Sequence, residues 1–153
     1  MKPDSAETSI QPALHPLSPA FAAHGQHLLI DFYQVKKDLL GDELRLESLL
    51  IRAAEMAGAR ILWKRFHHFG DGAGVTGVLL LAESHISIHT WPEHGFVAAD
   101  IFMCGQAQAD RALTVLRLGF TPGYEKIRSV SRGSADMKEN LESGELMIAV
   151  RQS

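Results

Sequence analysis

Residues 81–105 read LAESHISIHTWPEHGFVAADIFMCG, two apolar-rich runs of strand length joined by a Trp-Pro-Glu-His-Gly connection. In the first run polar and apolar residues alternate, with His85, Ser87 and His89 on one side and Ile86 and Ile88 on the other. That is the period of two of a half-buried strand, and it keeps His89 out of the apolar layer. Strands are predicted over 85–90 and 96–103, and Pro92 with Gly95 predicts a short turn that lays them antiparallel. The same segment carries chemistry. Glu83 and Ser84 stand where the first strand begins, His89 follows Ser84 by five residues, and Cys104, the only cysteine, follows it by twenty. A hydroxyl preceded by a carboxylate is common; a hydroxyl, an imidazole and the sole thiol in one short apolar segment are not.

Outward from this hairpin, 60–68 and 75–82 also read as strands, rich in β-branched and aromatic residues. The GDGAG loop between them lacks the Gly-Lys-Ser/Thr ending of a phosphate-binding loop and reads as a hairpin connection. A first strand is predicted from Gln26 through HLLIDFY. Leu46, Leu49, Leu50, Ala53 and Ala57 share one helical face, with Asp42 placed to cap the start and Gly58 to end it. A second helix fits Ala109, Ala112, Leu113 and Leu116, closed by Gly119. YEKIRSVSRG at 124–133 reads as a further strand, and ELMIAVRQ at 145–152 is apolar enough for another. Residues 1–24 hold four of the six prolines among Ser, Ala and Thr and are expected to be a mobile tail, leaving one domain over 25–153. Strands in succession with only two helices predict an α+β fold: a two-layer α/β sandwich, its largely antiparallel sheet covered by helices on one face.

Composition narrows the function. The 153 residues suffice for one domain with a real core. A net charge of −3 offers no electrostatic reason to expect nucleic acid or an anionic membrane as partner. No apolar run approaches the ~20 residues that span a bilayer, and MKPDSAETSI has neither a charged n-region nor an apolar h-region, so a cytoplasmic location is expected. His67, His68, His85, His89 and His94 lie close in sequence, yet no HExxH or paired CxxC accompanies them, and His67 and His68 point to opposite faces of a strand. No metal site is expected.

Five motifs, HHF at 67–69, GVTG at 74–77, ESH at 83–85, IHTWPE at 88–93 and DIFMCG at 100–105, together resemble the bacterial type of S-adenosylmethionine decarboxylase, a family of enzymes that make their own cofactor. The similarity runs from about Gly25 to Gly133. It implies the same two-layer fold and a homodimer of processed chain pairs. It implies a self-cleaving proenzyme (zymogen) serving spermidine and other polyamine biosynthesis, with a pyruvoyl group derived from Ser84. In that route the Ser84 hydroxyl attacks the Glu83 carbonyl and the acyl group shifts from N to O. Loss of the Cα proton then breaks the ester, and the dehydroalanine hydrolyses to pyruvoyl with release of ammonia. Cleavage between Glu83 and Ser84 leaves chains of 83 and, from 153 residues, 70.

The resemblance also assigns helpers. Thr76 stands where the family usually has serine, a hydroxyl suited to an oxyanion, with a β-branch that restricts its rotamers. His89 suits removal of the Cα proton, since an imidazole is a base that works near neutral pH. Cys104 matches the residue that protonates Cα after carbon dioxide leaves; a thiol near pKa ~8.5 is mostly protonated at neutral pH. Phe69 and Trp91 match the positions that sandwich the adenine of S-adenosylmethionine, and Glu93 matches the one that binds the ribose hydroxyls.

The residues support this chemistry independently. Decarboxylating an amino acid leaves electrons on Cα, and no ordinary side chain accepts them. Pyridoxal phosphate would need a lysine with a phosphate cradle, and Lys64 in LWKRF has no such setting. A pyruvoyl ketone, which can form a Schiff base with the substrate amine, is an alternative sink. Other readings remain open on sequence alone. Ser84 as a plain strand start, Cys104 as a buried inert thiol, Phe69 and Trp91 as core aromatics and Glu93 as a solvated turn carboxylate are the bland ones. A pyruvoyl-dependent ornithine or arginine decarboxylase and an uncleaved regulatory paralogue are the functional ones.

Overall fold

The computed structural model describes residues 24–133; all but the last residue of the expected tail, and the expected strand over 145–152, lie outside the described residues. Six strands form one sheet: β1 (Gly25–Tyr33), β2 (Ile61–His68), β3 (Val75–Leu81), β4 (Ser84–Trp91), β5 (Phe96–Cys104) and β6 (Tyr124–Arg132). Their order is β2-β3-β4-β5-β1-β6, with every neighbouring pair antiparallel. Strands β2 to β5 follow one another as a meander because their connections are short. The glycine-rich loop is the hairpin connection between β2 and β3, with Gly70 and Gly72 at positive φ.

Alternation decides the two faces. Leu28, Ile30, Phe32, Leu79, Ile86, Ile88, Val97, Ile101 and Met103 are all buried on one face, beneath helices α2 (Glu43–Met56) and α3 (Ala109–Phe120). Asp42 caps α2 as predicted, its Oδ1 accepting the Arg45 N–H at 3.0 Å. Gly58, at φ +75°, ends it: the Gly58 and Ala59 N–H groups donate to Glu55 and Ala54 at 3.0 Å each, the paired bonds of a glycine-terminated helix.

One predicted boundary is wrong. Gly119 does not close the second helix, which runs on to Phe120 and is capped by Thr121 at φ +42°. Gly119 faces α2 instead, where any Cβ would collide with the Leu49 side chain. A glycine near the end of an apolar pattern looks like a stop; here it lets two helices approach. The sequence also gave no signal for α1 (Lys37–Leu40), a single turn. It is tied to the sheet by Thr90, the one buried polar side chain of the described residues, whose Oγ1 donates to the Leu40 carbonyl and accepts the Val75 N–H, both at 2.7 Å.

Among the described residues no helix covers the other face. Along it run rungs of paired residues, one being His67, Thr76, His89, Ala98, Asp31 and Lys126 from β2 across to β6. All the candidate chemistry lies on this open face or at its ends.

Candidate active site

At one end, Ala82 and Glu83 form the two-residue turn between β3 and β4, with Leu81 and Ser84 paired across it. Three hydrogen bonds hold the turn. Ala82 N–H donates to the Arg60 carbonyl at 2.9 Å, Arg60 N–H donates to Glu83 Oε2 at 2.9 Å, and Cys104 N–H donates to the Glu83 carbonyl at 3.0 Å. Ser84 has φ +144°, a conformation costing a non-glycine residue about 1–3 kcal/mol. Its Oγ lies 3.5 Å from Cys104 Sγ, both groups half-buried. The Glu83–Ser84 peptide thus combines backbone strain, a carbonyl already polarised by a donor and a hydroxyl on the following residue. Those are the elements of an intramolecular acyl shift.

At the other end, Thr76 and His89 are directly paired across β3 and β4, and Thr76 Oγ1 shares a 2.9 Å hydrogen bond with His89 Nδ1. The threonine rotamer therefore aims its oxygen at the imidazole. Around this pair lies an aromatic row. The His89 and Trp91 rings are 6.2 Å apart, Trp91 stacks on Phe96 at 5.2 Å, and Phe96 stacks on Tyr33 at 5.1 Å. Phe69, 62% exposed, meets His67 edge-on at 4.8 Å, and Glu93 is exposed in the one-turn 3-10 helix Pro92–His94. Exposed aromatic faces beside a carboxylate suit a flat, polar-edged ligand such as a nucleoside.

The two ends are apart. Five residues of strand separate Ser84 from His89, about 16 Å at ~3.3 Å per residue. The structure brings Ser84 to Cys104, and Thr76 and His89 to the aromatic row, but does not bring these two sets together within one chain.

Residues 26–133 match the family profile of S-adenosylmethionine decarboxylase. The chain belongs to the S-adenosylmethionine decarboxylase family. A Methanococcus vannielii relative named S-adenosylmethionine decarboxylase proenzyme is 36% identical over 118 residues, covering 76% of this chain and 96% of the relative. One from Prochlorococcus marinus, with the same name, is 45% identical over 109 residues, covering 71% and 86%. The crystal structure of the adenosylmethionine decarboxylase from Aquifex aeolicus superposes with a TM-score of 0.69 at 34% identity, covering 76% of this chain and 96% of that one. The antiparallel two-layer fold expected of an S-adenosylmethionine decarboxylase is therefore the fold observed.

Between the two ends lies a polar group that sequence reasoning missed. Asp100 accepts from Ser87 Oγ at 3.2 Å and lies 3.3 Å from His27 Nε2, while Arg132 Nη1 lies 3.2 Å from His27 Nδ1. Arg132, which can only donate, thus faces one ring nitrogen of His27, and the Asp100 carboxylate faces the other. Burial, and secondarily the nearby His27, hold the His85 imidazole below its ordinary pKa, with Asp100 acting in the opposite sense. A signal was present: Asp100 is a lone charge inside the apolar run FVAADIFM.

Among the described residues no three His, Cys, Asp or Glu side chains converge on one point, and no helix is long and apolar enough to cross a membrane. A cleft of about 680 Å³ between α1, the start of α2 and the β2–β3 loop is lined by Asp38, Asp42, His68 and Asp71. None of Ser84, His89 or Cys104 lines it, so the reaction is not placed there.

Proposed function

We propose that this chain is a proenzyme that cuts itself between Glu83 and Ser84 and decarboxylates S-adenosylmethionine with the pyruvoyl group so formed, supplying the aminopropyl donor for polyamine synthesis in the cytoplasm. The observation that carries this reading is the strained turn, with Ser84 at φ +144° and the Glu83 carbonyl bound by the Cys104 N–H. Attack by Ser84 Oγ relieves an unfavourable backbone conformation while the amide donor receives the growing negative charge. The pyruvoyl group supplies the electron sink that no ordinary side chain offers. Cys104, with its thiol 3.5 Å from Ser84 Oγ, is placed to deliver a proton beside residue 84. Phe69 and Trp91 take the adenine, Glu93 the ribose hydroxyls, and aromatic faces attract the sulfonium.

His89 and Thr76 act on a neighbouring chain in this reading. Since they stand about 16 Å along the strand from Ser84, the homodimer lays two open faces together in opposite directions. Each Ser84–Cys104 end then meets His89 of the partner subunit, and two-fold symmetry makes two such sites. The open face carries the apolar surface such an association needs, with Tyr33, Trp63, Leu80, Trp91 and Tyr124 all exposed in the single chain.

The test is the mass of purified protein together with its substrate range. Expected are chains of 83 and 70 residues, the shorter one without a free amino end and trapped by phenylhydrazine, and carbon dioxide release from S-adenosylmethionine. One intact chain with no trappable carbonyl would leave the regulatory paralogue. Release from ornithine or arginine alone would reassign the substrate.

A further inference from the structure

Gly25 opens β1 and pairs with Cys104 on one side and Arg132 on the other. It is buried, and its backbone is not among those with positive φ, so conformational freedom does not explain a glycine there. Space does. A Cβ at residue 25 would lie 2.8 Å from Cys104 Sγ and 3.0 Å from Phe102 Cζ, closer still to Phe102 Cε2.

The two neighbours are not equally free to yield. The Phe102 ring is packed by His27 at 5.3 Å and His85 at 5.8 Å, with the Arg132 guanidinium 5.4 Å above its face. The thiol turns about a single side-chain bond, and turning it breaks only the 3.5 Å approach to Ser84 Oγ. We infer that Gly25 is a positioning residue for Cys104: the side chain it lacks is the slot that seats the thiol against residue 84. Four other glycines have comparable close approaches, Gly74 to the Thr90 backbone, Gly77 to Phe66, Gly119 to Leu49 and Gly123 to Gln34. None of those neighbours is a thiol or another nucleophile of the proposed chemistry, so among these glycines Gly25 alone joins a packing constraint to a reactive group.

The inference rests on the reading of Cys104 as a proton donor, and a double-mutant cycle separates the two. Native protein, Gly25→Ala, Cys104→Ala and the double variant are compared by turnover per carbonyl trapped with phenylhydrazine. Gly25→Ala is expected to lower kcat about tenfold to a hundredfold, the usual penalty for displacing a reacting group by ~1 Å, with KM within about twofold. In the Cys104→Ala background it adds nothing further. A native kcat for Gly25→Ala, or losses that multiply in the double variant, overturns the positioning role. A native kcat for Cys104→Ala instead overturns the proton-donor reading.

Should Cys104→Ala yield no carbonyl to count, iodoacetamide alkylation of the sole cysteine in Ser84→Ala chains decides. Adding Gly25→Ala should speed alkylation at least about threefold as the thiol leaves its slot and its thiolate becomes reachable; equal rates overturn the proposal. If Gly25→Ala does not fold, Phe102→Leu removes the other wall of the slot. It is expected to change the same alkylation rate by a similar factor, and an unchanged rate again overturns the role.

Discussion

The two ends of the open sheet face do different things with the same kind of residue. At one, a serine hydroxyl sits on a strained backbone beside a thiol; at the other, a threonine hydroxyl sits on regular strand beside an imidazole. The first end stores energy in a peptide bond and polarises it. The second is an unstrained cross-strand pair flanked by aromatic rings open to a ligand. A bond to be broken needs a poor fit, whereas a base and a binding surface need a good one.

The largest effect that would break this contrast is at Ser84. Ser84→Ala is expected to abolish cleavage and decarboxylation altogether, leaving a single 153-residue chain by mass spectrometry; two fragments would move the cut elsewhere. Next is His89→Ala, expected to slow chain cleavage, and with it the appearance of active enzyme, about a hundredfold to ten-thousandfold as a lost general base does. Mixed with Ser84→Ala during refolding, it should recover activity, because one of the two sites in a mixed dimer carries both native residues. No recovery would mean that one chain completes its own site.

Trp91→Ala should act on binding, raising KM for S-adenosylmethionine by roughly fivefold to a hundredfold, from the ~1–3 kcal/mol of base stacking on an aromatic ring. An unchanged KM would take the adenine away from this end. For Thr76, the hydroxyl rather than the methyl is the useful part. Thr76→Val is expected to slow cleavage about tenfold and Thr76→Ser to preserve or speed it, followed by gel; a slower serine variant would contradict the role given to that oxygen.

The smallest effect is one of pH. His85 is held below its ordinary value of 6.5, so the unfolded chain takes up a proton first as the pH drops. Its neutral form contributes stability above ~6.5 that is lost as the pH falls toward the lowered folded value. His85→Gln, on a Ser84→Ala chain, should flatten the melting temperature across that window; an unaltered slope would assign the dependence to other groups.

Much of this was legible in the chain. Period-two alternation in HISIH foretold which face of β4 is buried, and Asp42 and Gly58 bracket α2 because capping depends on local backbone groups. Gly119 misled because its reason is a neighbour, Leu49, on another helix. The Asp100–His27–Arg132 group escaped because its members come from three strands and meet only when the sheet is assembled.

By itself the sequence determined the residue types and their period: a hydroxyl after a carboxylate at a strand start, a sole thiol, an imidazole on the polar side, and enough apolar pattern for one covered sheet. Only the tertiary structure decided the partners. Strand register pairs Thr76 with His89 and sets Ser84 opposite Met103, next to Cys104, and it holds those two groups at opposite ends. Side-chain direction along a strand is a local consequence of backbone geometry. Which side chains then touch depends on hydrogen bonds between segments far apart in the chain, and no spacing within one segment encodes that.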